Sequence, residues 1–157
     1  MKLKLIQLFV FLLISTNLLS QEVLDTDQSK ENNIYLESLK KYCDSLSSDA
    51  KLKIYVEFNK DIMSYWPEKI NETEIQYIYD IKDYKQVLKE NKNSVLVVKI
   101  LLLQYKKEKF FVSIIPFLAE HKNKKINKIS GGGYAYQYLF NTEKKGFIFD
   151  KTISFLL

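Results

Sequence analysis

Few side chains in this chain are of the types that carry out covalent or acid–base chemistry. There is one His and one Cys. A nucleophile, a base and a third group to orient the base cannot be assembled from so small a set. His121 stands in Glu120-His121-Lys122-Asn123-Lys124-Lys125, read as a charged loop. A general base needs a fixed position and a partner, and a loop among lysines supplies neither. Cys43 falls on the apolar stripe of a predicted helix, which marks a buried, inert thiol. Asp61, Asp80 and Asp83 could work as paired carboxylates if one were desolvated. Asp80 and Asp83 are more simply explained as helix caps. No metal or other cofactor is implied, because a Cys/His zinc site needs more ligands than the chain holds.

Ser130-Gly131-Gly132-Gly133 has the look of a phosphate loop. Such loops work where backbone amides converge at a helix start. Here the glycines run into an alternating stretch, Tyr134 to Phe140, so the expectation is a turn or bulge at a strand entrance. That stretch places Tyr134, Tyr136 and Tyr138 in one row. An exposed row of aromatics could stack flat ligands, and a buried one packs a sheet core. Trp66, beside Pro67, and Tyr77, on a short predicted strand, could line a pocket. These five residues are the candidate ligand-binding set.

The elements that must position these groups follow from periodicity. Tyr35, Leu39, Tyr42, Cys43 and Leu46 recur at spacings of three and four, which predicts a helix over 29–46. Lys51 to Phe58 alternates as a half-buried strand. Ile75, Tyr77 and Tyr79 suggest a second short strand, and a helix follows to about Asn91. From Asn93 the period becomes two. Residues 95–105, 109–116, 134–140 and 146–155 read as four antiparallel strands. The segment 117–133 reads as a long Lys-rich connection. The expected fold class is α+β, with an N-terminal helix packed on a curved, mostly antiparallel sheet that ends in a four-strand meander. This order of elements resembles the cystatin-like and nuclear-transport-factor-like cones.

Both parities of the first meander strands are apolar, from Val95, Val97 and Leu101 to Leu96, Val98 and Ile100. Both faces of the sheet must then be covered. A second copy of the chain, a partner protein or a small apolar ligand could cover the second face.

Met1-Lys2-Leu3-Lys4, the apolar run from Leu5 to Ile14 and the small residue Ser20 stand in the order of a secretory signal. Cleavage is expected after Ser20, leaving a loose arm over 21–30 and one domain over 31–157. No later stretch is long and apolar enough to cross a bilayer as a helix. The expected location is the periplasm or the extracellular space.

All 24 basic residues are Lys. Lys2 and Lys4 belong to the signal, so 22 remain against 19 acidic residues, near +3. Without Arg there is no planar fork for phosphates or guanine edges, so nucleic acid is not an expected partner. Together these features point to an exported, non-catalytic binding or interaction module. The alternatives are a small cone-fold enzyme with Asp and Tyr in a pocket, or a secreted inhibitor or immunity-type protein using its basic loops.

Overall fold

The structure is a computed structural model that describes residues 33–46, 52–62, 66–122 and 125–157. The expected signal (1–20), its cleavage site and the N-terminal arm (21–30) lie outside the described residues. All described residues belong to one compact unit, Asn33–Leu157.

Helix α1 runs Ile34–Ser45. It starts at Asn33 because that side chain accepts hydrogen bonds from the amides of Tyr35 and Leu36, at 3.1 and 3.2 Å. Its buried stripe is Ile34, Leu36, Leu39, Tyr42 and Cys43. Strand β1 is Lys53–Glu57. A two-residue strand β2, Lys69–Ile70, turns back into β3, Thr73–Ile78. Helix α2, Ile81–Glu90, begins at Asp80, whose carboxylate accepts from the amides of Lys82 and Asp83. Then come β4 (Ser94–Ile100), β5 (Gln104–Lys106), β6 (Lys109–Lys122), β7 (Lys125–Ile129), β8 (Gly132–Asn141) and β9 (Gly146–Leu156).

The architecture corrects the expected cone. Strand makes up 55% of the described residues and helix 19%, in one mixed nine-stranded sheet. The main path through the sheet is β2-β3-β1-β4-β6-β8-β9. β1 pairs in parallel with both β3 and β4. The chain leaves β3, crosses through α2 and returns as β4 on the far side of β1. A parallel neighbour requires such a crossover. The crossover carries α2 onto the sheet face opposite α1, so the sheet lies between two helices and does not wrap around one.

Each helix closes its own core. On the α1 face, Leu39 and Tyr42 pack with Ile54, Val56, Val98, Ile100, Val112, Ile114, Tyr136 and Tyr138. On the α2 face, Val87 and Leu88 pack with Tyr55, Val95, Val97, Phe117 and Ala119. Part of the second face is therefore covered from within a single subunit, and Val97 is fully buried. Beyond the reach of α2, Leu139, Ile148 and Ile153 remain 38–42% exposed.

Two further local readings are corrected. The Lys-rich stretch after Phe117 is not a loop. Phe117 and Ala119 point into the α2 core while β6 continues to Lys122 and pairs with β7, from Leu118–Ile129 to Lys122–Lys125. His121 is thus on a strand, opposite Ile126. The period of two expected along 146–155 is also broken. The β8–β9 register shifts between Gln137 and Tyr138, leaving Asp150 as an extra residue. Phe147 and Phe149 stay on the α1 face, and Ile153 and Phe155 turn to the other.

The glycine run enters β8 where backbones crowd. A Cβ on Gly132 (φ 151°) would stand 2.0 Å from the Phe155 carbonyl, and one on Gly133 2.6 Å from that of Ile114. Ser130 Oγ donates within this corner, 2.7 Å from the carbonyl of Pro116 and 2.9 Å from that of Gly132. Gly132 and Gly133 let three strands close together, whereas a Cβ on Gly131 would meet open space.

Candidate functional site

The carboxyl ends of β1, β3 and β4, all parallel, meet the start of α2. In open sheets with parallel strands this is where ligand crevices form. A cavity of about 470 Å³ lies there. Its charged lining is Glu57 from the end of β1, Lys99 from β4, Lys128 from β7 and Asp80 from the cap of α2. Its apolar lining includes Phe58, Tyr79 and Ile81.

Glu57 is the centre of the polar part. Its side chain is 16% exposed. The Tyr84 hydroxyl donates to Glu57 Oε1 at 2.5 Å. Lys128 Nζ donates to the same oxygen, and Lys99 Nζ stands 3.6 Å from Oε2. Lys128 is also held over the rings of Tyr84 and Phe117, at 4.6 and 4.9 Å. Burial pushes the Glu57 carboxyl up, but the hydrogen bonds from Lys128 and Tyr84 and the charges of the two lysines outweigh it. The carboxyl is held below its ordinary range. Burial, then the hydrogen bond to Glu57 and its charge, push the Tyr84 phenol well above its ordinary value. The carboxylate stays charged and the phenol stays neutral across the physiological range.

That pairing suits binding more than proton transfer. A general base works best with a pKa near the operating pH, and Glu57 is shifted away from it. Among the described residues, the lining contains no Cys, Ser or His. What it offers is two ammonium groups, two carboxylates and an aromatic wall. Asp80 is kept ionised by the amides of Asp83 and Lys82. Among the described residues, no group of three or more His, Cys, Asp or Glu side chains could hold a metal ion.

The five predicted ligand-binding residues separate. Trp66 and Tyr77 pack against Phe58, with ring centroids 5.3 and 6.4 Å away. The Tyr77 hydroxyl donates to the Pro67 carbonyl at 2.5 Å. Phe58 and Tyr79, 4.6 Å apart, form the cavity's aromatic wall, so Trp66 and Tyr77 stand behind that wall and brace it. Tyr134 is half-buried, 5.9 Å from Tyr42, and borders a separate hollow beside the glycines. Tyr136 and Tyr138 are 1% and 0% exposed beneath α1, where they build the core. Asp80 and Asp83 cap α2; Asp83 accepts from the Tyr79 amide at 2.8 Å. Asp61 is exposed in a turn beside the cavity, where its amide donates to Oδ1 of the lining residue Asn59 at 3.0 Å. Cys43 is buried, and burial followed by the neighbouring Asp44 charge pushes its thiol up to about 12.

Glu57, Tyr84, Lys99 and Lys128 escaped the sequence reading. One signal was available. Lys99 is the sole charge within Val95 to Leu103, and a lone charge in a buried strand needs a partner. Its partner becomes visible only once β1 and β4 are known to be parallel, in the register Tyr55–Val97.

Scans against family models, characterised proteins and solved structures find no match to this chain. Among the described residues, no helix is long and apolar enough to cross a membrane.

Proposed function

We propose that this protein is an exported, non-catalytic binding module that takes a small ligand in the Glu57 cavity. The charged, apolar and small-residue order of 1–20 supports export. The observation that carries the binding reading is the cavity itself. It has ligand-sized volume, an aromatic wall at Phe58 and Tyr79, and two lysines converging on one carboxylate. An anionic group on the ligand can compete with Glu57 for Lys99, which keeps 53% of its side chain exposed. A flat or apolar part then rests on the wall. The ionised carboxylate and neutral phenol support a role without turnover.

Nuclear magnetic resonance titration tests this directly, with benzoate, phenyl phosphate and benzylamine as probes. The two anions should shift the amides around Glu57, Tyr84, Lys99 and Lys128, and benzylamine should not. At about 10 mM probe, even a Kd of about 1 mM is nearly saturating. Absence of any shift from either anion at that concentration defeats the reading. Mass spectrometry of the exported chain should find Gln21 as the first residue, and a chain that begins at Met1 defeats cleavage.

A further inference from the structure

β9 is an outer strand of the sheet: among the described residues it pairs with β8 alone. Its free side presents unpaired backbone amides and carbonyls over eleven residues. Sheets usually guard such edges with short strands, charges or bulges. The opposite edge fits that rule, since β2 has two residues. β9 does not fit it simply. It is long, it carries one Lys and one Asp side by side, and Ile148 and Ile153 are 41% and 38% exposed.

The bulge at Asp150 sets which residues share a face. Ile148 pairs with Leu139, Lys151 with Gln137 and Ile153 with Ala135, all on the α2 face. Asp150 is turned to that same face by a hydrogen bond from Gln137 Nε2. Phe147, Phe149, Thr152 and Ser154 fall on the α1 face. Without the bulge, Ile148 and Ile153 would lie on opposite faces, because their separation is odd.

We infer that β9 pairs with β9 of a second copy, antiparallel, about a two-fold axis between Asp150 and Lys151. In that register Asp150 meets the partner's Lys151, and Lys151 meets the partner's Asp150. Ile148 meets the partner's Ile153, and Phe149 meets the partner's Thr152. Every residue opposes one from its own face, as direct cross-strand neighbours must. A shift of one residue either way sets Asp150 against the partner's Asp150 or Lys151 against the partner's Lys151. It also sets Ile148 against an α1-face residue. The pattern is self-complementary at one register, which is the requirement of an isologous contact. The contact continues the sheet from one subunit into the next by strand addition.

Charge reversal tests both the partner and the register. The chain purified from its host should sediment as a dimer. Asp150→Lys and Lys151→Asp each place like charges across the axis, so each variant alone should sediment as a monomer. Its association constant should fall about tenfold or more. Mixed together, the two variants restore both attractive pairs and should form a heterodimer visible by native mass spectrometry. Circular dichroism of each variant should match the parent. A parent chain that stays monomeric overturns the inference and leaves the bulge as an edge guard. So does a mixture that fails to pair. Ile115 is a partly exposed residue of β6 opposite Lys99, on the α2 face. A dimer that survives both substitutions but is lost with Ile115→Lys places the contact on that sheet face, and also overturns the inference.

Discussion

Ser38 and Tyr138 stand a hundred positions apart in the chain and share a hydrogen bond of 2.8 Å between their hydroxyls. Both are fully buried. Ser38 Oγ also donates to the Ile34 carbonyl one turn back, at 2.6 Å. This contact pins α1 to β8 through polar atoms inside an otherwise apolar layer. A buried hydroxyl without a partner costs about 1–3 kcal/mol. Ser38→Ala and Tyr138→Phe should each lower stability by about 1 kcal/mol in urea unfolding. The double variant should lose less than the two losses added, because both remove the same bond. Strict additivity would show that the two hydroxyls act independently.

How much of this arrangement the residues announce depends on the range of the interaction. The α1 stripe follows from spacings of three and four, and the capping by Asp80 is local to its own turn. The glycines at 131–133 mark a strand entrance because no helix follows them. Parallel pairing of β1 with β3 and β4 leaves no such local trace. β1 is buried on both faces at Ile54, Tyr55 and Val56, yet its sequence alternates as a half-exposed strand because Tyr55 reads as polar. The cone expectation failed there, since it rested on a mostly antiparallel sheet, and parallel pairing carries α2 across to the face opposite α1. The binding site failed with it: Glu57 and Lys99 are 42 positions apart and meet only through that parallel register. Tyr136 and Tyr138 showed the opposite difficulty. Alternation placed them in one row, and only the packing of α1 shows which way the row faces.

Glu57 holds together β1, β4, β7 and α2, so its removal should cost more than one ordinary contact. Glu57→Ala leaves the Tyr84 hydroxyl and the partly buried ammonium of Lys128 without their acceptor. Losing one side of a charged hydrogen-bonded group costs about 1.5–3 kcal/mol. Tyr84→Phe should cost less, because the lysines still meet the carboxylate. Thermal unfolding of the two variants against the parent checks the order. Equal losses would place most of the energy in the Tyr84 bond.

The same carboxylate sets an acid limit. Its folded pKa lies below its unfolded value, which is about 4.3. Its contribution is therefore complete above that unfolded value and is lost as pH falls through the folded one. The parent should lose stability steeply below about pH 4, and Glu57→Gln should lose less over the same window. Melting temperatures recorded from pH 6 down to pH 2 test this. Parallel curves for parent and variant would remove Glu57 from the acid transition.

The β5–β6 hairpin carries avoidable strain. Its two connecting residues, Lys107 and Glu108, have φ of 50° and 61°. A two-residue turn with both angles positive is the type that favours Asn-Gly. Each ordinary side chain there costs about 1 kcal/mol. Replacing Lys107-Glu108 by Asn-Gly should raise stability by about 1 kcal/mol in urea unfolding without moving the cavity amides. A loss of stability would mean that the two side chains make contacts worth more than the strain.

Buried phenols set the alkaline limit. Burial, then the charges of Tyr134 and Cys43, push Tyr42 up to about 12. Burial pushes Tyr136 and Tyr138 higher still, and Tyr84 is raised by burial and by Glu57. A raised folded pKa gives a contribution that is complete below the unfolded value of about 10 and is lost as pH rises through the folded one. These four phenols should stay protonated while the fold persists. Phenolate absorbance followed with near-ultraviolet circular dichroism should therefore show their ionisation coinciding with loss of tertiary signal, and it should not reverse along the same curve. Tyr84→Phe should reduce that phase by one phenol. Reversible ionisation of the four with tertiary signal intact would mean that water already reaches both cores.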